Sequence, residues 1–148
     1  MKEGRATHED TEAGSEDDYK VTINKDIYKN YVDIASLEKE IAEGKSDAQL
    51  IDARGEPAYA AGHIPVAKNL FFKKFQNDDG TVKRPEEVRQ ILEESGVDAS
   101  KHIVNTCGAG ISASYSFLAM KHAGFNNISL YDGSWAEYVR SLVNLFAF

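Results

Sequence analysis

The chain contains one cysteine in 148 residues. That excludes an internal disulfide and a thiolate zinc cluster. It leaves Cys107 as either a small buried hydrophobe or a reactive thiol. Long apolar runs are also lacking, and nothing approaches the roughly 18 residues of a membrane span. Positive charge is in deficit: 17 Lys and Arg stand against 24 Asp and Glu, a formal net charge of −7. That argues against nucleic acid and anionic membrane as partners. The amino-terminal segment is polar and acidic, unlike a secretory signal or a basic transit peptide. A reducing, cytoplasmic setting is the expectation, and a mitochondrial-matrix protein that had lost its presequence would read the same.

What the chain does have is ordinary for a globular domain, with 42% hydrophobic and 10% aromatic residues, and its length suits one domain. Much of the negative charge is local. Residues 1–20 carry seven acids against Lys2, Arg5 and Lys20, a net of −4, which leaves −3 for the other 128 residues. This stretch has almost no large apolar side chains and is expected to be a disordered acidic tail, with residues 21–148 forming the folded domain.

Helix and strand signals then alternate. Leu37 and Ile41 lie one turn apart and predict a helix over 36–42, followed by Gly44. Gln49-Leu50-Ile51-Asp52 predicts a strand. Residues 56–61 predict one or two helical turns ended by Gly62, and 68–71 a second strand. Asn77-Asp78-Asp79-Gly80 is a turn by composition. Pro85 at a first helical position, Glu86 and Glu87 behind it, and Val88, Ile91 and Leu92 on one face predict a helix ended by Gly96. A strand over 102–106 runs into Cys107. An apolar helix over 113–123 follows, then a strand over 128–131. Ser134-x-x-Glu137 reads as a capping box opening a last helix. The alternation predicts parallel strands with right-handed helical crossovers, an α/β doubly wound domain with helices on both faces of the sheet.

The chemistry gathers at Cys107-Gly108-Ala109-Gly110-Ile111-Ser112. A strand enters this segment and a helix leaves it, which places the sulfur at the carboxyl edge of the sheet over a helix amino terminus, where open α/β folds bind ligands. Small residues let the turn curl so that successive N–H groups point inward. With the helix dipole they favour a negative sulfur, so the thiol should titrate below the free value of about 8.5. A nucleotide-binding loop would need a lysine here, and none is present. A cysteine phosphatase would need an arginine where Ala113 stands, to clamp phosphoryl oxygens. Sulfur transfer needs neither, since a persulfide anion can rest in the same nest of amides.

The run from Cys107 to Ala113 resembles the active-site loop of rhodanese-family sulfurtransferases, particularly the mercaptopyruvate branch. Tyr59-Ala60-Ala61-Gly62-His63-Ile64-Pro65-Val66-Ala67 is similar to the family's amino-terminal motif, with Val66 where glycine is usual. Tyr131-Asp132-Gly133-Ser134-Trp135-Ala136-Glu137-Tyr138 resembles its carboxyl-terminal motif, and Leu50 to Arg54 its first core strand. The likeness spans roughly residues 31–142. It implies a rhodanese-like fold, a Cys107 persulfide intermediate, and no metal or organic cofactor. It further implies a small anionic sulfur donor (3-mercaptopyruvate or thiosulfate) and, as acceptor, cyanide or a thiol such as glutathione or thioredoxin. The chain looks like the second, cysteine-bearing half of two-domain members. Ala109 replaces a serine frequent in the mercaptopyruvate branch, and a second substrate-binding arginine has no counterpart between Arg54 and His63. Both argue against efficient mercaptopyruvate turnover.

Arg54 matches an arginine that holds the donor's anionic group in two-domain relatives, and its alternative is an ion pair with a nearby carboxylate. Gly108, Ala109, Gly110, Ile111 and Ser112 are expected to face the donor. Ser112 can donate to the persulfide or cap the next helix. Asp52, His63 and Trp135 read as structural, and Lys68, Lys73 and Lys74 as a solvated patch. The competing function is a non-catalytic rhodanese-fold module that binds proteins or carries a persulfide.

Overall fold

The structure is a computed structural model that describes residues 24–145. The tail expected at 1–20 lies outside the described residues.

Four parallel strands form one sheet in the order β2-β1-β3-β4: β1 Gln49–Asp52, β2 Ala67–Asn69, β3 Ile103–Thr106 and β4 Ile128–Leu130. The helices are α1 Tyr31–Ala42, α2 Glu56–Ala60, α3 Pro85–Glu94, α4 Ile111–His122 and α5 Ser134–Leu145. The strands are short, and their apolar side chains alternate between two cores. Ile51 and Ile103 meet Val88 and Leu92 of α3 and Ala119 and Met120 of α4. Leu50 and Val104 face the other way, onto Ile34 of α1, Ile64, and Tyr138 of α5. Ile51, Ile103, Ile34 and Val104 are fully buried, and each contributes about 1.5–3 kcal/mol by leaving water. The doubly wound expectation is met.

The strand order also locates the crevice. From β1 the chain crosses outward to β2, then returns to lay β3 on the other side of β1. β1 and β3 therefore flank the topological switch point, where open α/β sheets bind ligands beyond the strands' carboxyl ends. Asp52 pairs with Thr106, so the next residues, Ala53 and Cys107, leave the sheet side by side.

Several boundaries differ from expectation. Helix α1 begins at Tyr31 rather than Ser36, because Asn30 and Asp33 form a reciprocal capping box, Asp33 N–H to Asn30 Oδ1 at 3.1 Å and Asn30 N–H to Asp33 Oδ2 at 2.9 Å. The second strand is Ala67–Asn69 instead of 68–71. It ends where Asn69 Nδ2 turns back to donate to the carbonyls of Asp52 (3.0 Å) and Arg54 (2.7 Å). Phe72–Phe75 then forms a 3-10 turn. Helix α4 starts two residues earlier than expected, at Ile111, which places Ile111 and Ser112 in its first turn rather than in the loop.

Candidate active site

Cys107 sits at the exit of β3, 2% exposed, on an apolar floor of Ala53, Ala113 and Leu130. The turn behind it is closed by Gly110, which is the cap of α4 in the left-handed region, φ +86°. A Cβ there would also lie 2.8 Å from the Asp132 carbonyl oxygen. Conformation and space both demand glycine. Because Gly110 has no side chain, no cap covers the first turn of α4, and its leading N–H groups are left for the site.

Burial opposes ionisation of the thiol. The Ser112 hydroxyl, the backbone N–H groups of Ala113 and Ala109, and last the Ser134 hydroxyl outweigh it and hold Cys107 below its ordinary value. The sign expected from sequence is met, but the donors are not the expected ones. Gly110, not Ser112, caps α4, and the Ser112 hydroxyl is among the groups that lower the Cys107 pKa. Nor do all the loop amides point inward at the sulfur. The N–H groups of Cys107 (3.0 Å) and Gly110 (3.2 Å) donate to Ser134 Oγ. Those of Gly108, Ile111 and Ser112 make no hydrogen bond to a described residue. The Ile111 side chain faces solvent, 84% exposed, so only its backbone belongs to the crevice.

The expected capping box at Ser134 is absent. Ser134 opens α5 with φ +53°, and its hydroxyl turns to the cysteine loop instead of the helix amides. The next two N–H groups of α5 also serve the loop. Trp135 donates to the Cys107 carbonyl at 3.1 Å and Ala136 to that of Gly108 at 3.0 Å. The segment Ser134–Ala136 thus grips the turn by four hydrogen bonds. A Ser-x-x-Glu pattern cannot disclose this, because the partners lie 24 and 27 residues away.

Arg54 takes up its alternative, the ion pair. Nε and Nη2 fork onto the buried Asp52 carboxylate, at 3.0 Å (Nε–Oδ1) and 2.6 Å (Nη2–Oδ2), and Nη2 also donates to the Gly62 carbonyl at 2.7 Å. Trp135 lies under the guanidinium at 5.4 Å, a cation–π contact. The arginine stem runs beside the loop, since a Cβ on Gly108 would meet its Cδ at 3.8 Å. Nη1 makes no hydrogen bond to a described residue. Arg54 is therefore both braced and partly available. His63 is structural as expected: Nδ1 meets the Tyr59 carbonyl at 2.9 Å and the ring stacks on Tyr59 at 3.7 Å. Lys68, Lys73 and Lys74 are exposed.

Among the described residues no three His, Cys, Asp or Glu side chains gather as a metal ion would require. A surface cavity of about 570 Å³, lined by Arg89, Leu92, Val97, Ala123 and Phe125 among others, lies at the far end of α4 from Cys107. It has no thiol, hydroxyl or imidazole in its wall and is not the site.

The Rhodanese-like domain family matches residues 33–141. Rat thiosulfate sulfurtransferase is 29% identical over 147 residues, covering 95% of this chain and 50% of the relative. Human 3-mercaptopyruvate sulfurtransferase is 32% identical over 127 residues, 82% of this chain and 43% of that one. The crystal structure of SseA from Escherichia coli, described with the fold and mechanism of 3-mercaptopyruvate sulfotransferases, superposes with a TM-score of 0.66 at 30% identity, over 77% of this chain and 44% of that one. The chain spans half or less of the length of these relatives. With its parallel sheet, its cysteine at the switch point and a family match running from α1 into α5, the chain belongs to the family of rhodanese-like domains.

Proposed function

We propose that this domain is a sulfurtransferase that carries sulfur on Cys107. The thiolate attacks the outer sulfur of a small anionic donor. A Cys107 S–S bond forms as the donor's own bond to that sulfur breaks, releasing sulfite from thiosulfate or pyruvate from 3-mercaptopyruvate. The thiol proton of mercaptopyruvate ends on the pyruvate methyl. An acceptor thiolate or cyanide then takes the outer sulfur, and the Cys107 thiolate returns. No oxidant or reductant is needed.

One observation carries this reading: a solitary buried thiol held below its ordinary value by hydroxyls and amides, in a loop with no cationic side chain. The N–H groups of Gly108, Ile111 and Ser112, which have no hydrogen-bond partner among the described residues, suit the outer sulfur of a persulfide anion, which can accept from several weak donors. Phosphoryl transfer in such a loop would lack the charge that stabilises its transition state, a contribution of roughly 3 kcal/mol or more where such a donor has been removed. Both relatives named above are sulfurtransferases, which supports the class, and they differ in donor.

Between donors, we favour 3-mercaptopyruvate. Gly108 and Ala109 offer thiosulfate no positive side chain, whereas Arg54 Nη1, which makes no hydrogen bond to a described residue, is the group assigned here to a single carboxylate. The test is steady-state turnover with each donor and cyanide as acceptor. The expected result is a higher kcat/KM for mercaptopyruvate and no measurable turnover in Cys107→Ser, which preserves the fold. Turnover in that variant within tenfold of the parent would exclude the persulfide route.

A further inference from the structure

Ser134 is the only non-glycine residue with a left-handed backbone among the described residues, φ +53°, and it is fully buried. Glycine adopts such a conformation freely, and an L-residue holds it only when its surroundings compel it. The sequence supplies a glycine one position earlier, at Gly133, where φ is not left-handed. The unusual residue at 134 therefore has a use for its side chain.

That side chain is engaged on every valence. The hydroxyl oxygen accepts from Cys107 N–H at 3.0 Å and Gly110 N–H at 3.2 Å, and its single proton goes to the Tyr131 carbonyl at 2.8 Å. The cysteine sulfur is 3.8 Å away. A hydroxyl has one proton, and the nearer partner is the carbonyl. Ser134 therefore acts on the sulfur mainly through the loop. It joins the first and last residues of the Cys107–Gly110 turn to one point, while Trp135 and Ala136 hold the carbonyls of Cys107 and Gly108 from the same helix end. Asp132 closes the remaining space against Gly110.

We propose that Ser134 is the positioning residue of the sulfur site: it fixes both ends of the cysteine turn, and so sets where the sulfur lies against the first turn of α4. The purpose assigned to it rests on the sulfur-transfer reading; the geometry does not. Without the hydroxyl, two buried N–H groups lose their acceptor, and the turn must twist or admit water to satisfy them.

Two variants separate the hydroxyl from the strain. Ser134→Ala removes the hydroxyl and keeps the strained backbone. Ser134→Gly removes the hydroxyl and relieves the strain. Two readouts apply to each: the pH profile of Cys107 alkylation by iodoacetamide, and amide hydrogen exchange at Cys107 and Gly110. Both variants should lose protection at these two amides and alkylate about three- to tenfold more slowly near neutral pH, as the thiol drifts back toward its free value. Ser134→Gly should be at least as stable as Ser134→Ala. If Ser134→Ala does not fold, Ser134→Gly alone decides. A Ser134→Gly protein with the parent's alkylation profile overturns the proposal, and so does one that fails to fold, since the hydroxyl would then serve the fold alone. Sulfur loading of the parent is measured separately. A parent that takes no sulfur while both variants alkylate slowly would remove the sulfur-transfer reading and leave the role of Ser134 standing.

Discussion

Replacing Arg54 by alanine perturbs two things at once, and they can be separated. The first is the ion pair. The Asp52 side chain is 2% exposed and that of Arg54 12%, so the pair lies out of water. Removing the cation strands a buried carboxylate, which costs about 3–5 kcal/mol, or roughly 10–15 °C of melting temperature for a domain this size. The second is the proposed donor contact. A carboxylate on Nη1 is a charge-assisted hydrogen bond, of about 1.5–3 kcal/mol, and its loss raises KM for mercaptopyruvate roughly ten- to a hundredfold. The double variant Arg54→Ala, Asp52→Asn removes the stranded charge. It should recover most of the lost melting temperature and none of the lost KM, while KM for thiosulfate moves less. Thermal denaturation and two-donor kinetics on parent, single and double variants make the comparison. If the double variant recovers stability and mercaptopyruvate KM together, Arg54 serves only to neutralise Asp52.

Three further outcomes are expected. Gly110→Ala forces an L-residue to φ +86° and drives its Cβ against the Asp132 carbonyl, a cost of about 2–4 kcal/mol; calorimetry should show a loss of roughly 10 °C, and an unchanged melting temperature would mean that the turn adapts freely. Gly108→Arg with Ala109→Lys sets positive charge in front of a dianion, so the ratio of kcat/KM values should move toward thiosulfate; a fixed ratio would show that loop charge does not choose the donor. The folded-state thiol is held below its ordinary value, so the native state binds fewer protons than the unfolded chain between the folded value and that of free cysteine. Stability should therefore rise with pH across this window, be fully present above it, and be lost as pH falls through the folded value. Urea unfolding at several pH values should show this slope in the parent and its absence in Cys107→Ser.

The fold and the position of Cys107 at the carboxyl edge of the sheet were legible in the sequence, because each depends on local signals. The apolar pairs Leu50-Ile51 and Ile103-Val104 gave β1 and β3, Pro85 with Glu86 and Glu87 gave the start of α3, and a strand, a small-residue turn and an apolar helix gave the cysteine loop. The misplaced start of α1 was also local: Asn30 and Asp33 form a capping box that the apolar spacing of Leu37 and Ile41 does not reveal. What could not be read were interactions closed through space. Ser134 fits a helix cap by pattern, but the register of α5 against the Cys107–Gly110 turn gives its hydroxyl to amides far upstream. Ser112 fits a cap as well, until Gly110 is seen to occupy that position. For Arg54 the sequence left two roles open, and the structure satisfies the ion pair with two of its nitrogens, while the third has no hydrogen bond to a described residue.

The central claim is that Cys107 carries transferable sulfur, and intact-mass spectrometry tests it most directly. The purified protein is measured before donor, after incubation with mercaptopyruvate or thiosulfate, and again after cyanide or a thiol. The account predicts a gain of one sulfur atom on Cys107 and its complete loss on treatment with acceptor, with no gain in Cys107→Ser. A parent protein that gains no sulfur from either donor, or a Cys107→Ser variant that gains it equally, would contradict the account.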